Sequence, residues 1–186
     1  MSLDSKRKLA NMNVLILPGI GNSGQDHWQS HWEQTNSNYS RVNQSDWDNP
    51  SCADWIASLE DSVKRSGTDT ILVAHSLACL LVSHWAAQTK LQIKAALLVA
   101  VPNPKGPAFP TQTIGFDPVP MQRLPFKSKV IASTNDPYGG VAYAEECAAI
   151  WGSNLVNIGA AGHINSASGL GTWPEGYRLL QQLKAD

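Results

Sequence analysis

The sequence predicts an α/β domain of three layers, with a mostly parallel sheet of about six strands between helices. Short apolar, β-branched runs alternate with longer amphipathic ones along the chain, which is the pattern of strand and helix in turn. A length of 186 residues fits one domain, and 42% hydrophobic content is ample for one core. The strand runs are apolar throughout rather than alternating, so helices must cover both faces of the sheet.

The first strand is expected over Asn13 to Leu17, where Val14-Leu15-Ile16-Leu17 is wholly apolar, and a weaker second over Tyr39 to Asn43. Further strands are expected over Thr70 to Ala74, Ala95 to Val101, Lys129 to Ser133 and Asn154 to Ile158. Helices are expected at about Asp26 to Thr35, Ser51 to Ser66, Leu77 to Gln88, Val141 to Trp151 and Pro174 to Lys184. Pro174 suits a first helical turn, where a missing N–H does no harm. No internal repeat is present. Residues 1–12, including the basic cluster Lys6-Arg7-Lys8, are expected to form a flexible N-terminal tail, and 13–186 a single domain.

Fourteen Lys and Arg against fifteen Asp and Glu give a net charge of -1. A nucleic-acid or membrane-surface role would require a concentrated basic face, so neither is expected. Cys52, Cys79 and Cys147 are odd in number and widely spaced, without a CxxC pair, which suggests neither a disulfide framework nor a zinc site. That usage fits a reducing cytosol. With no run of transmembrane length and no signal-peptide pattern, the expectation is a soluble, cytoplasmic protein.

In sheets of this kind ligands bind beyond the carboxyl ends of the strands, so those ends carry the functional reading. The third strand runs into Ala74-His75-Ser76-Leu77-Ala78 and then a helix, which reads as a nucleophile elbow. The flanking positions must be small because strand and helix pass close together, and alanine adds only one methyl group to the usual glycine. Alone, the same pattern also describes a buried serine opening a helix. The fifth strand ends in Ser133-Thr134-Asn135-Asp136-Pro137-Tyr138, and the sixth leads to Gly159-Ala160-Ala161-Gly162-His163. Serine, aspartate and histidine thus follow the third, fifth and sixth strands, in the chain order of the α/β-hydrolases.

Each residue type answers a chemical need. A serine hydroxyl is a poor nucleophile at neutral pH and requires a base; imidazole has the suitable pKa, which assigns His163. A carboxylate must hold the correct tautomer and stabilise the imidazolium, which assigns Asp136. The oxyanion of an attacked carbonyl needs two preorganised N–H donors, expected from the backbone of Leu77, after the serine, and of Ile20, in the loop after the first strand. No cofactor is required and none is expected. Phe109, Ile114 and Phe116, in the Pro-rich stretch from about Pro102 to Phe126, either wall an acyl pocket or cover the sheet; that stretch favours a stiff loop over a lid domain. Gly19, His75, Trp47, Phe109, Phe116 and Tyr138 are the candidate pocket residues.

Other readings compete for some of these residues. Gly19-Ile20-Gly21-Asn22-Ser23-Gly24 is a literal G-x-G-x-x-G after a strand, with Asp46 after a second strand, as in a dinucleotide site. Pro18 and the bulky His27-Trp28 fit that site poorly, and it leaves Ser76, Asp136 and His163 unexplained. His27 and His31 are spaced i,i+4, but lack a third metal ligand, so no metal is expected. Most of the seven tryptophans should be core, with Trp47 the exception at the catalytic edge. His84 is expected to be structural, and so is His75 if it does not line the pocket.

Over most of its length, from about Val14 to the last helix, the chain resembles the small serine hydrolases that include retinoblastoma-binding protein nine and the bacterial YdeN-like proteins. The resemblance rests on Pro18-Gly19-Ile20-Gly21 with His27-Trp28 and Trp32 behind it, on Asp46-Trp47 and Pro50, and on His75-Ser76-Leu77. It extends to Leu124-Pro125-Phe126, to Ser133 through Tyr138, and to Gly162-His163-Ile164-Asn165. It implies Ser76, Asp136 and His163 as the triad and no lid domain. The family often carries glycine where this chain has Ala78. Glu145-Glu146-Cys147 lacks the leucine of a pocket-protein-binding motif, so the resemblance carries no such partner. The expected function is hydrolysis of a small ester, thioester or amide, with a small-molecule acyl substrate as partner. The alternatives are a catalytically silent binding module on the same fold, or a dinucleotide-binding protein.

Overall fold

The computed structural model of the chain describes residues 12–185. The tail expected over 1–12 lies outside the described residues except for Met12, whose side chain is buried. Six strands form one sheet in which every neighbouring pair is parallel: β1 (Val14–Leu17), β2 (Tyr39–Arg41), β3 (Ile71–His75), β4 (Ala95–Val99), β5 (Lys127–Ala132) and β6 (Asn154–Asn157). Their order across the sheet is β2-β1-β3-β4-β5-β6. Five α-helices join them: α1 (Trp28–Thr35), α2 (Cys52–Ser66), α3 (Leu77–Ala86), α4 (Gly140–Trp151) and α5 (Pro174–Ala185).

The pleat sends alternate residues of each strand to opposite faces, and both faces are filled. Leu15, Leu17, Leu72, Ala74, Ala96, Leu98 and Val130 pack under α2, α3 and α4. Val14, Ile16, Ile71, Val73, Leu97, Val99 and Ile131 pack under α1 and α5. Six of the seven tryptophans are buried in these two layers. The polar edge strand β6 is only half-buried, so the two-sided burial expected of the strands applies to the centre of the sheet.

The element boundaries have local causes. Strand β4 stops two residues short of the expected Val101 because Ala100 turns to φ 58°, outside the extended region. Helix α1 begins at Trp28 rather than Asp26 because His27 is its N-cap, extended at φ -82° and ψ 139°, with its side chain accepting from the Gln29 N–H. Strand β2 ends at Arg41 as a three-residue edge strand paired only to β1.

The connection after β1 goes outward to β2, whereas that after β2 returns past β1 to β3. The loops after β1 and β3 therefore diverge to opposite faces, feeding α1 and α3, and a crevice opens between them.

The central core residues should dominate stability. Leu98→Ala, at a fully buried site on β4, is expected to cost about 2–5 kcal/mol in urea unfolding. Ile114→Ala, at 67% exposure, should stay within about 0.5 kcal/mol.

Candidate active site

Ser76 lies between the last residue of β3 and the first of α3, with φ 56° and ψ -126°. A residue other than glycine in that region costs of order 1–3 kcal/mol and persists only where its surroundings hold it. Here the Ser76 N–H donates to the Val99 carbonyl at 2.9 Å, and the Ser76 carbonyl accepts from the Cys79 N–H at 2.8 Å. The methyl groups of Ala74 and Ala78 are wholly buried on either side of the turn.

The loops after β5 and β6 bring the other two candidates to this serine. His163 Nε2 is 2.7 Å from Ser76 Oγ, and His163 Nδ1 is 2.9 and 3.0 Å from the two carboxylate oxygens of Asp136. Asp136 Oδ1 also accepts from the Tyr138 N–H at 3.0 Å. The two loops are tied together. Asn135 Oδ1 accepts from the Gly162 N–H, Ser133 Oγ from the Ala161 N–H, and the Gly159 carbonyl from the Thr134 N–H. Tyr138 and His75 lie beside the His163 ring, with centroids 4.4 and 5.0 Å away.

The loop after β1 closes the other side. A Cβ on Gly19 would stand 2.9 Å from Ser76 Cβ and 3.1 Å from the His75 carbonyl oxygen, so only glycine allows this approach. Gly21 N–H donates to the Trp47 carbonyl at 2.8 Å, and Asn22 N–H to the Gly19 carbonyl at 3.2 Å, which hold the loop curled. Ile20 and Leu77 both line the resulting cavity of about 390 Å³. Leu77 opens α3, where the first backbone N–H groups have no helical acceptor. The cavity lining includes the largely apolar Pro102, Phe109, Pro110 and Tyr138 and the polar Asn22, His27, Asn165 and Ser166.

Of the candidate pocket residues, Gly19, His75, Phe109 and Tyr138 line this cavity; Trp47 and Phe116 do not. Phe116 is 1% exposed and meets Trp55 and His84 edge-on. Backbone bonds between Ile114 and the 50–52 segment pull its stretch of chain over α2, which sends the ring into the core. Trp47 packs half-buried against Trp55 and reaches the site only through its carbonyl. His84 donates through Nε2 to the Phe116 carbonyl, a structural contact. Asp46, the ribose candidate of the dinucleotide reading, instead accepts from the backbone N–H groups of Asp48 and Asn49 in its own turn. The cavity also contains His27, which the sequence offered only as a metal candidate. Because His27 caps α1, it precedes the helix that carries His31.

Burial pushes the His27 pKa down to about 4, aided by the positive charge of Arg41 and then by the neighbouring histidines His163 and His31. The same desolvation holds His75 well below the usual imidazole range, with His27 and His163 adding to it. Both rings are therefore neutral beside His163 near pH 7.

Two predictions follow from this geometry. Gly19→Ala should slow any reaction of Ser76 by at least about tenfold, with overpacking costing about 1–3 kcal/mol; acylation kinetics and urea unfolding measure the two effects. The second concerns acid. With the folded pKa of His27 below 6.5, the unfolded chain takes up a proton that the fold refuses, so stability is complete above pH 6.5 and falls as pH drops toward 4. The loss from His27 alone is about 3 kcal/mol, read from urea midpoints across that window as the part of the slope that His27→Gln removes.

Known proteins agree with this architecture. The chain is similar to a YdeN-like hydrolase from Pectobacterium atrosepticum, at 28% identity and a TM-score of 0.83, over 97% of each chain. It is similar in fold to the ydeN gene product of B. subtilis, at 20% identity and a TM-score of 0.79, over 94% of this chain and 99% of that one. A thioesterase of the prodiginine pathway in Streptomyces coelicolor shares the fold at 14% identity and a TM-score of 0.64, over 94% and 89%. No curated protein matches in sequence. The profile of the family described as serine hydrolase matches residues 14–182, nearly the whole chain, which therefore belongs to the serine hydrolases and has an α/β-hydrolase fold.

Proposed function

We propose that this serine hydrolase cleaves small esters or thioesters, and amides more slowly, through an acyl-enzyme on Ser76. The observation that carries the reading is the continuous chain from Ser76 Oγ through His163 to the Asp136 carboxylate at the mouth of the cavity. In the first step His163 Nε2 takes the proton as Ser76 Oγ attacks the substrate carbonyl. Asp136 stabilises the imidazolium, and the N–H groups of Ile20 and Leu77 receive the oxyanion. The leaving group departs with the proton from His163. Water, deprotonated by the same nitrogen, then releases the acid and restores Ser76.

Among the described residues the wall of the cavity contains no Asp, Glu, Lys or Arg, which supports an uncharged acyl group as substrate. Its volume supports a small molecule. The thiols of Cys52, Cys79 and Cys147 are free and buried, which supports a cytoplasmic setting. Among the described residues no helix is long and apolar enough to cross a membrane.

A fluorophosphonate probe is expected to label the native protein at one site and to leave Ser76→Ala unlabelled. The same substitution should lower kcat for p-nitrophenyl acetate by about 10⁴-fold or more. A folded native protein that resists the probe and hydrolyses no acyl ester would overturn the reading in favour of a silent binding module.

A further inference from the structure

The hydrolytic cycle leaves His27-Trp28 without a role, although these rings are buried at 4% and 1% exposure. The indole Nε1–H of Trp28 donates to the Ile164 carbonyl at 2.8 Å, across 136 positions of the chain. His75 Nε2 lies 2.9 Å from the carbonyl oxygen of His163. A carbonyl only accepts, so His75 must carry its proton on Nε2 and donate it. Two consecutive carbonyls of the loop that bears the base are thus held by two buried ring N–H donors, one from α1 and one from β3. The donors pack against each other, with centroids 6.1 Å apart, and His27 packs against both, at 5.2 and 4.8 Å.

This loop needs support. Gly162 and Ile164, on either side of His163, have φ 57° and 49°, a region that a β-branched residue such as Ile164 rarely enters. The N–H groups of Ala161 and Gly162 donate to Ser133 Oγ and Asn135 Oδ1. The Ala161 carbonyl accepts from Ser168 Oγ, and the carbonyls of His163 and Ile164 are met by His75 and Trp28.

We propose that His75 and Trp28 are positioning residues for the reaction, clamping the carbonyls of His163 and Ile164 so that His163 Nε2 stays within reach of Ser76 Oγ. The inference rests on the hydrolase reading above. A neutral donor is required at position 75, because a cation there would oppose the imidazolium that forms on His163, and burial keeps His75 neutral. Removing either donor leaves a carbonyl without its buried partner, so the loop relaxes and the 2.7 Å contact lengthens. Misplacement by about 1 Å costs on the order of 10²-fold in rate, and the loss belongs to kcat because substrate binding does not use this bond.

The test uses steady-state hydrolysis of p-nitrophenyl acetate by the full chain, with melting temperatures to identify folded variants. Trp28→Phe keeps an aromatic ring, though a smaller one, and deletes the donor; kcat should fall about tenfold with KM within about twofold. His75→Leu should lose about 10- to 100-fold in kcat, and His75→Gln, which keeps an N–H donor, should recover most of it. Native kcat in Trp28→Phe and His75→Leu, or no advantage of Gln over Leu, overturns the clamp. If His75→Leu does not fold, Trp28→Phe decides alone. Failure of the native protein to react with the fluorophosphonate probe would instead remove the hydrolase reading, so the two failures are distinct.

Discussion

The backbone of Ser76 is held at a positive φ by parts of the chain that are distant in sequence, and the geometry of the site depends on keeping it there. A strained turn of this kind relaxes unless its neighbours are rigid. Strand β3 supplies one anchor because it lies between β1 and β4, with all five residues buried. Val99, at the end of β4, supplies another through the bond to the Ser76 N–H. Helix α3 supplies the third, packed so tightly that nine of its residues are buried. The two-sided core is therefore what maintains the strained conformation at the serine, and the reversal of strand order beside β1 is what leaves open space in front of it.

Charge is the second constraint. Three imidazoles stand in a row, His27, His75 and His163, with successive ring centroids about 5 Å apart. A proton on one of them would repel a proton on the next, as the mutual lowering of His27 and His75 by their neighbours reflects. His163 has Asp136 on its Nδ1 side. His27 and His75 have no carboxylate partner among the hydrogen bonds of the described residues, and desolvation keeps them neutral. The site thus sets one histidine, paired with Asp136, apart from two that burial keeps neutral.

What the sequence made legible was whatever depends on order along the chain. Alternating patterns gave six strands and five helices, and the residues just beyond strand ends gave Ser76, Asp136 and His163, because a parallel sheet gathers those ends at one edge. Sidedness within a loop was not legible. Phe116 and Phe109 occur in the same Pro-rich stretch, yet one enters the core and the other faces the cavity, a difference set by backbone pairing between Ile114 and the 50–52 segment. Trp47 follows a strand as expected, but its ring turns back toward Trp55. His27 was missed as a helix cap because histidine is not among the common capping residues, and only the surrounding burial shows its place.

The substituted elbow, alanine on both sides of the serine, is explained by where the tightest contact falls. Ala74 pairs in register with Leu17 and Leu98, and its methyl group packs into the core beneath α3 without opposing the turn. Ala78 likewise faces that core. The chain comes closest to Ser76 from the first loop, at Gly19, where even one methyl group would collide with Ser76 Cβ and the His75 carbonyl. The demand for glycine is met at position 19 rather than at 74 or 78. That same approach gives the G-x-G-x-x-G stretch a physical reason independent of phosphate: its first glycine lets the loop that carries Ile20 lie against Ser76.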